Sequence, residues 1–253
     1  LGTTKLVLIG KPRRFGHRFD LVIASAQYRV GERANVARIG LPLMRVDPAA
    51  VAAAAAAWRA RLAALPRPLL ALLVGGPTKA VRFGPEEARA MATRAVREAT
   101  GSGGSLYVCT SRRPPPAVVE ALAGVLPPES PLYRWRAEEP ESNPYLALLG
   151  LADRFAVTSD SVTMMVELAR LGRPLALVRL PARRAWLRRL TRSRDLDAVA
   201  RLLLDEGLAV ELGEPWRPPS GSPNDDLGAV VAQVRALCGL PAGGESAATP
   251  RSK

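Results

Sequence analysis

The hexapeptide Thr158-Ser159-Asp160-Ser161-Val162-Thr163 places small hydroxyl residues where an apolar run gives way to a helix-forming one. A helix begins with N–H groups that have no intrahelical partner, so a strand turning into a helix through such residues makes a place for an anion. Two readings stay open. Either Ser159, Asp160 or Ser161 caps the helix with its side chain, or the helix start holds a phosphate. Asp160 opposes a phosphate unless it turns away. Glu167 favours the second reading, because it is the one acid in an otherwise apolar helix, about one turn past Thr163. A carboxylate so placed can accept hydrogen bonds from ribose hydroxyls while the helix start takes the phosphate. Met164 and Met165 read as core packing.

Three other segments set polar groups at the ends of apolar runs: Gly75-Gly76-Pro77-Thr78-Lys79, Thr110-Ser111-Arg112-Arg113 and the stretch leading to Asn143-Pro144-Tyr145. The glycine pair allows close approach of backbone to a ligand, or simply a tight turn. Neither GxxxxGK[ST] nor GxGxxG is present, so no P-loop or dinucleotide fingerprint is expected. Arg112 and Arg113 offer guanidinium forks that suit a diphosphate. The alternative is exposed surface arginine. His17, in KPRRFGHRFD, is the only histidine and so the only side chain with an ordinary pKa near neutrality, which makes it the candidate base. A bystander role competes with that reading, and the catalytic residues are otherwise unassigned. No GxSxG elbow or Cys/His pairing supports hydrolase chemistry. Cys109, Cys238 and one histidine cannot complete a tetrahedral zinc site or a disulfide scaffold, so no metal is expected.

These segments need a scaffold that brings them to one edge. Residues 5–9 and 19–25 are short apolar runs that read as strands buried on both faces of a parallel sheet. After Pro48 an alanine-rich stretch predicts a helix over 48–65, read as a connection between two units. Beyond residue 69 strand and helix alternate: strands at 69–76, 105–111, 132–136, 154–160 and 174–180, helices at 85–99, 116–125, 143–152 and 162–171, then helices at 182–191 and 195–206. That rotation predicts a doubly wound parallel α/β sheet, with ligands beyond the carboxyl ends of the strands. A closing helix is expected at 224–237. The division is therefore 1–47, the remnant of an N-terminal Rossmann-like domain; 48–65, the connecting helix; 66–240, the C-terminal domain; and 241–253, a disordered tail.

The 253 residues include 36 Lys and Arg against 23 Asp and Glu, for a formal charge of +13, yet only Lys5, Lys11, Lys79 and Lys253 are lysines. So strong an arginine bias can reflect base composition, and no nucleic acid partner is expected. The segment 183–194, with Trp186 and Leu187 among its arginines, reads as a solvated helix face or as a contact with anionic lipid. The longest apolar run, 49–58, is far short of the ~20 residues that span a bilayer. Signal-peptide features are missing at the front, where the chain reads as beginning inside a longer protein.

The segments FDLVIASAQY, ANV at 34–36, LLVGGPTKAVRF, GGSLYVCTSRRP and NPYLALLGLADRFAVTSDSVTMMVELARLGRP resemble, in the same order, the elongated-mitochondria (mitochondrial fission) family of GT-B-type glycosyltransferases. The likeness covers most of residues 19–180. VTSDSVTMMVELARLGRP is also similar to the donor-binding segment of the bacterial glycosyltransferase that adds N-acetylglucosamine to a lipid-linked peptidoglycan precursor. The resemblance implies two facing Rossmann-like domains, a UDP- or GDP-sugar donor in the second, an acceptor of lipid-linked or cell-envelope type in the first, and no obligatory metal. The expected location is the cytoplasm, either free or peripheral on the inner face of the membrane. The donor would lie against Gly75, Gly76, Thr78, Thr110, Ser111, Arg112, Arg113, Asn143, Tyr145, Ser159, Asp160, Ser161, Val162, Thr163 and Glu167. The opening glycine-rich loop of the first domain has no counterpart after Leu1. A non-catalytic adaptor that keeps the fold at a membrane surface is the alternative. A nucleotide-sugar epimerase or reductase would need a dinucleotide fingerprint and a Tyr-x-x-x-Lys pair, and neither is present.

Overall fold

The structure is a computed structural model that describes residues 4–78, 81–139, 142–182, 195–224 and 226–241. The chain forms two compact units, Leu1–Leu43 with Asn224–Lys253, and Met44–Pro223.

The first unit holds a parallel sheet of β1 (Val7–Ile9), β2 (Leu21–Ser25) and β3 (Val36–Ile39), in that order. The strand β3 was not expected, since VARI carries an arginine in a four-residue run. Parallel neighbours usually need a helical crossover. Here both crossings are loops, the first relieved only by a 3-10 turn at Gly16–Arg18. Asn35 fastens them together, its Nδ2 donating to the carbonyls of Gly16 at 3.0 Å and Phe19 at 2.8 Å. Alternation sends Leu21, Ile23 and Ile39 to one face, where they pack with Val230 of the terminal helix α7 (Leu227–Leu237). The expected boundary at residue 47 is therefore not where the chain divides. The closing helix joins the first unit, because its apolar stripe covers this sheet, and Asp226 accepts a hydrogen bond from Gly40 N at 2.8 Å.

The second unit is the expected doubly wound sheet, with all six strands parallel. The strands are β4 (Leu69–Val74), β5 (Ser105–Thr110), β6 (Leu132–Tyr133), β7 (Arg154–Thr158), β8 (Leu175–Val178) and β9 (Val210–Glu211), in the order β6-β5-β4-β7-β8-β9. β9 was not read from the sequence, and β6 is shorter than the predicted 132–136. The helices are α1 (Pro48–Leu62), α2 (Pro85–Gly101), α3 (Pro116–Ala123), α4 (Tyr145–Leu151), α5 (Val162–Ala169) and α6 (Leu196–Asp205). The helix predicted at 182–191 and most of the tail lie outside the described residues.

Every residue of β4 is buried, as its unbroken LLALLV requires at the centre of a two-faced sheet. Each fully buried leucine there contributes about 2 kcal/mol of transfer free energy, so the centre of the sheet fixes where the following loop begins. Leu70, Leu72 and Val74 face α2 and α3 through Ala88, Met91, Ala92, Ala95 and Leu122. α1 is no linker: it packs on α4 within this unit. Alanine and glycine permit that approach, since a Cβ on Gly150 would sit 2.8 Å from Ala55 Cβ. Asp47 caps α1 by accepting from Ala49 N at 2.9 Å, ahead of Pro48 at the first helical position.

Candidate functional site

The strand order reverses between β4 and β7. Chain running outward through β5 and β6 returns to β7 beside β4, and their carboxyl ends diverge at the place where doubly wound sheets hold ligands. Gly75-Gly76 leaves β4 there, Ser159-Asp160-Ser161 leaves β7, and Ser111-Arg112-Arg113 leaves β5 next door.

On the β4–β7 side most of the polar groups bond to one another. Thr158 Oγ1 accepts from Gly75 N at 2.7 Å, and Asp160 Oδ2 accepts from Gly76 N at 2.9 Å. The Asp160 side chain is wholly buried and pairs with Arg113 at 2.6 Å. Asp160 Oδ1 is buried without a hydrogen-bond partner. Ser159 Oγ accepts from Leu180 N at 3.3 Å. The glycines answer to these neighbours: a Cβ on Gly75 would lie 2.3 Å from Asp160 Oδ2, and one on Gly76 2.5 Å from Arg113 Cβ. The side chains of Asp160 and Arg113, not open space for a ligand, stand against the pair, which is the tight turn of the two sequence readings. Thr78 accepts from Val81 N at 3.2 Å in the following turn. Gly75, Gly76, Thr78, Arg113, Ser159 and Asp160 thus build the turn rather than line the cleft.

The β5–α5 side is open. Thr110, Ser111, Arg112, Asn143, Tyr145, Ser161, Thr163 and Glu167 line one cleft of about 350 Å³ with Cys109, Trp135 and Met164. Its entry point is the start of α5, and the open question of the cap is settled there: Asp160 and Ser159 bond elsewhere, and Ser161, the N-cap residue, makes no side-chain cap bond. The first turn of α5 holds no acid, so the positive end of the helix faces the cleft with Arg112. Val162 is buried in the first turn.

Glu167 reaches the same cleft one turn further along α5. Its Oε2 accepts from the Tyr145 hydroxyl, and burial, followed by the Glu167 charge, pushes the Tyr145 pKa well above the ordinary tyrosine value. That leaves Tyr145 a proton donor at any physiological pH. Tyr145 is set by Asn143, whose Oδ1 accepts from Tyr145 N at 3.0 Å just ahead of α4. Thr110 is spent on structure, donating to Tyr133 O at 3.2 Å and accepting from Trp135 N at 3.0 Å. Trp135 was not among the expected site residues. It follows the carboxyl end of the short β6, and reading 132–136 as strand hid its place in the strand-end loop. Burial raises the Cys109 thiol to about 12, so it lines the cleft as an apolar group.

His17 lies in the first unit, exposed on the 3-10 turn, with its ring 6.2 Å from that of Phe15 and edge-on to it. Cys109 and Cys238 are free thiols. Among the described residues no group of three or more His, Cys, Asp or Glu side chains could hold a metal, and no helix is long and apolar enough to cross a membrane. The arginine segment 183–194 lies outside the described residues.

The family described as Mitochondrial fission ELM1 matches residues 1–235. A curated relative, the mitochondrial fission protein ELM1 of Arabidopsis thaliana, is 32% identical over 136 residues, which is 54% of this chain and 31% of the relative. The chain thus spans about a third of that relative's length. Among solved structures, S. aureus MnaA in a co-structure with UDP is 15% identical over 70% of this chain and 48% of that one, at a TM-score of 0.39. Medicago truncatula UGT71G1 complexed with UDP-glucose is 16% identical over 76% and 41%, at a TM-score of 0.36.

Proposed function

The chain belongs to the mitochondrial fission ELM1 family, and from the geometry of its cleft we propose that the second unit binds a nucleoside diphosphate sugar for transfer of the sugar to an acceptor. One observation carries this reading: the uncapped start of α5, Arg112 and Glu167 converge on a single cleft. The helix N–H groups and Arg112 hold the diphosphate, and they meet the negative charge that grows on it as the glycosidic bond breaks. Glu167 takes the ribose. Tyr145 occupies one lone pair of one carboxylate oxygen and fixes the group's direction, leaving the remaining acceptor positions for ribose hydroxyls. Trp135, 40% exposed at the rim, offers a face for the base. Among the described residues none is a built general base, so the acceptor's proton is left unassigned.

Thermal unfolding with UDP, GDP, their sugars and inorganic pyrophosphate tests the proposal. Stabilisation should grow as RT ln(1 + [L]/Kd) and be greater for nucleotides than for pyrophosphate. No stabilisation by any nucleotide at millimolar concentration overturns it. Nucleotide binding without sugar transfer or sugar-nucleotide hydrolysis would leave a nucleotide-binding module and remove the enzyme.

A further inference from the structure

The first unit contains a pocket of about 240 Å³ that the nucleotide reading does not use. Both crossings of its sheet are loops, and they run over the face opposite α7 with only the 3-10 turn at Gly16–Arg18. Val22 of β2 and Val36 of β3 form the floor there, and the two loops form the walls. Lys11, Arg13, Arg14, Arg29 and Arg33 line those walls, and no acidic residue does.

The nearby acids are engaged elsewhere. Asp20 accepts from Leu6 N at 2.7 Å and pairs with Lys5 at 3.6 Å, Glu32 pairs with Arg38 at 4.0 Å, and Asp226 holds Gly40 N. The guanidinium groups of Arg13, Arg14 and Arg33 make no hydrogen bond or ion pair among the described residues. A single solvated arginine is ordinary. Three guanidinium groups without a protein partner around one small concavity repel one another, and an anion relieves that repulsion.

The backbone is shaped to this end. Phe15 is the one non-glycine residue in the left-handed region among the described residues, at φ 54°, a strained conformation that clusters at ligand clamps. The turn it makes presses Gly16 against Pro12 and Arg33, where an added Cβ would meet Pro12 Cγ and Arg33 Nη1, each at 3.3 Å. Arg13 and Arg14 are thereby carried to the same pocket as Arg33. Guanidinium forks match phosphate oxygens two by two. The volume lies below the roughly 300 Å³ at which whole-ligand pockets begin, which fits a phosphate head rather than an entire nucleotide.

We infer that the loops over the three-stranded sheet form a binding site for a phosphate ester or diphosphate, held by Arg13, Arg14 and Arg33. The inference does not depend on the cleft of the second unit.

The protein carries its own reporter. His17 is the only histidine, and its ring lies 6.2 Å from that of Phe15 at the pocket wall. Its C2–H proton resonance should shift saturably on titration with inorganic pyrophosphate at constant ionic strength, including in an Arg112→Gln chain, where the other cleft is weakened. Arg13→Gln/Arg14→Gln/Arg33→Gln should raise the apparent Kd at least tenfold. Arg33→Gln alone, which leaves the turn intact, should raise it at least threefold. Two sources of the phosphate separate by vesicle flotation. Capture by phosphatidic acid vesicles and not by phosphatidylcholine, lost in the triple variant, identifies a lipid headgroup. A saturable pyrophosphate shift without capture identifies a soluble phosphate. A His17 shift reproduced by chloride, one equally saturable in both arginine variants, or no shift and no capture at all overturns the site.

Discussion

Two sides of one loop behave in opposite ways, although Ser161 alone separates them. Before it, Thr158, Ser159 and Asp160 give their side chains to Gly75 N, Leu180 N, Gly76 N and Arg113. After it, the first turn of α5 is uncapped, and Glu167 is held by one tyrosine hydroxyl. The closed side fixes the carboxyl ends of β4 and β7 to each other, and the start of α5 inherits that rigidity while its N-cap Ser161 makes no side-chain cap bond. A rigid site on unsatisfied donors is what tight anion binding needs, because little order is lost when the ligand arrives.

The largest expected effect tests the closed side. Asp160→Asn removes the charge that faces Arg113 and weakens acceptance from Gly76 N, and should cost roughly 3 kcal/mol of stability, the low end for breaking a buried pair because Arg113 is partly exposed. The urea midpoint reads it. Gly75→Ala should follow at about 2 kcal/mol, since its Cβ would overlap the Asp160 carboxylate and force the clamp open. If either variant keeps its stability and loses only nucleotide affinity, the closed side is a ligand site after all.

Glu167→Gln tests the open side and should show the reverse pattern. Glutamine keeps an oxygen for the Tyr145 hydroxyl, so stability should change by no more than about 1 kcal/mol, the net worth of one ordinary hydrogen bond. Nucleotide affinity should fall by about 1 to 3 kcal/mol as charged hydrogen bonds to ribose are lost. Calorimetric titration with the best-binding nucleotide, beside a urea melt, separates the two. Unchanged affinity with a lowered midpoint would make Glu167 a structural residue.

What could be read from the sequence divides along the same line. Apolar runs punctuated by glycine and proline gave away the parallel sheet, and the strand-end rule led to three of the loops that meet at the cleft. Which polar residue of a loop turns inward was not legible, because Asp160 chooses its direction from Arg113 and Gly76, residues some fifty and eighty positions away that only the order β5-β4-β7 brings near. The same holds for α7. Its apolar stripe announces a buried face, yet nothing local says which sheet will cover it. β9 was missed because two residues show no periodicity, and Trp135 because its strand ends sooner than its apolar neighbours suggest.

The smallest effect concerns the tyrosine that joins the two behaviours, a structural donor to a binding carboxylate. Burial and Glu167 raise the Tyr145 pKa in the folded chain, whereas the unfolded chain titrates near the ordinary ~10. Below pH ~10 both states keep the proton and this group adds no pH dependence. Above it the unfolded chain loses the proton while the folded chain retains it, so the folded state binds more protons and stability falls as pH rises, by at most ~1.4 kcal/mol per pH unit for this group. Tyr107, pushed up to about 12 by burial, adds a decline of the same sign. Tyr145→Phe should therefore make the loss of stability between pH 10 and 11 shallower without abolishing it, which urea melts at matched ionic strength would resolve. At neutral pH the same variant should weaken nucleotide binding a few-fold, because Glu167 loses the hydroxyl that orients it. A slope identical to that of the unsubstituted chain would mean that Tyr145 titrates normally, and the hydroxyl would then not be the group that aims Glu167.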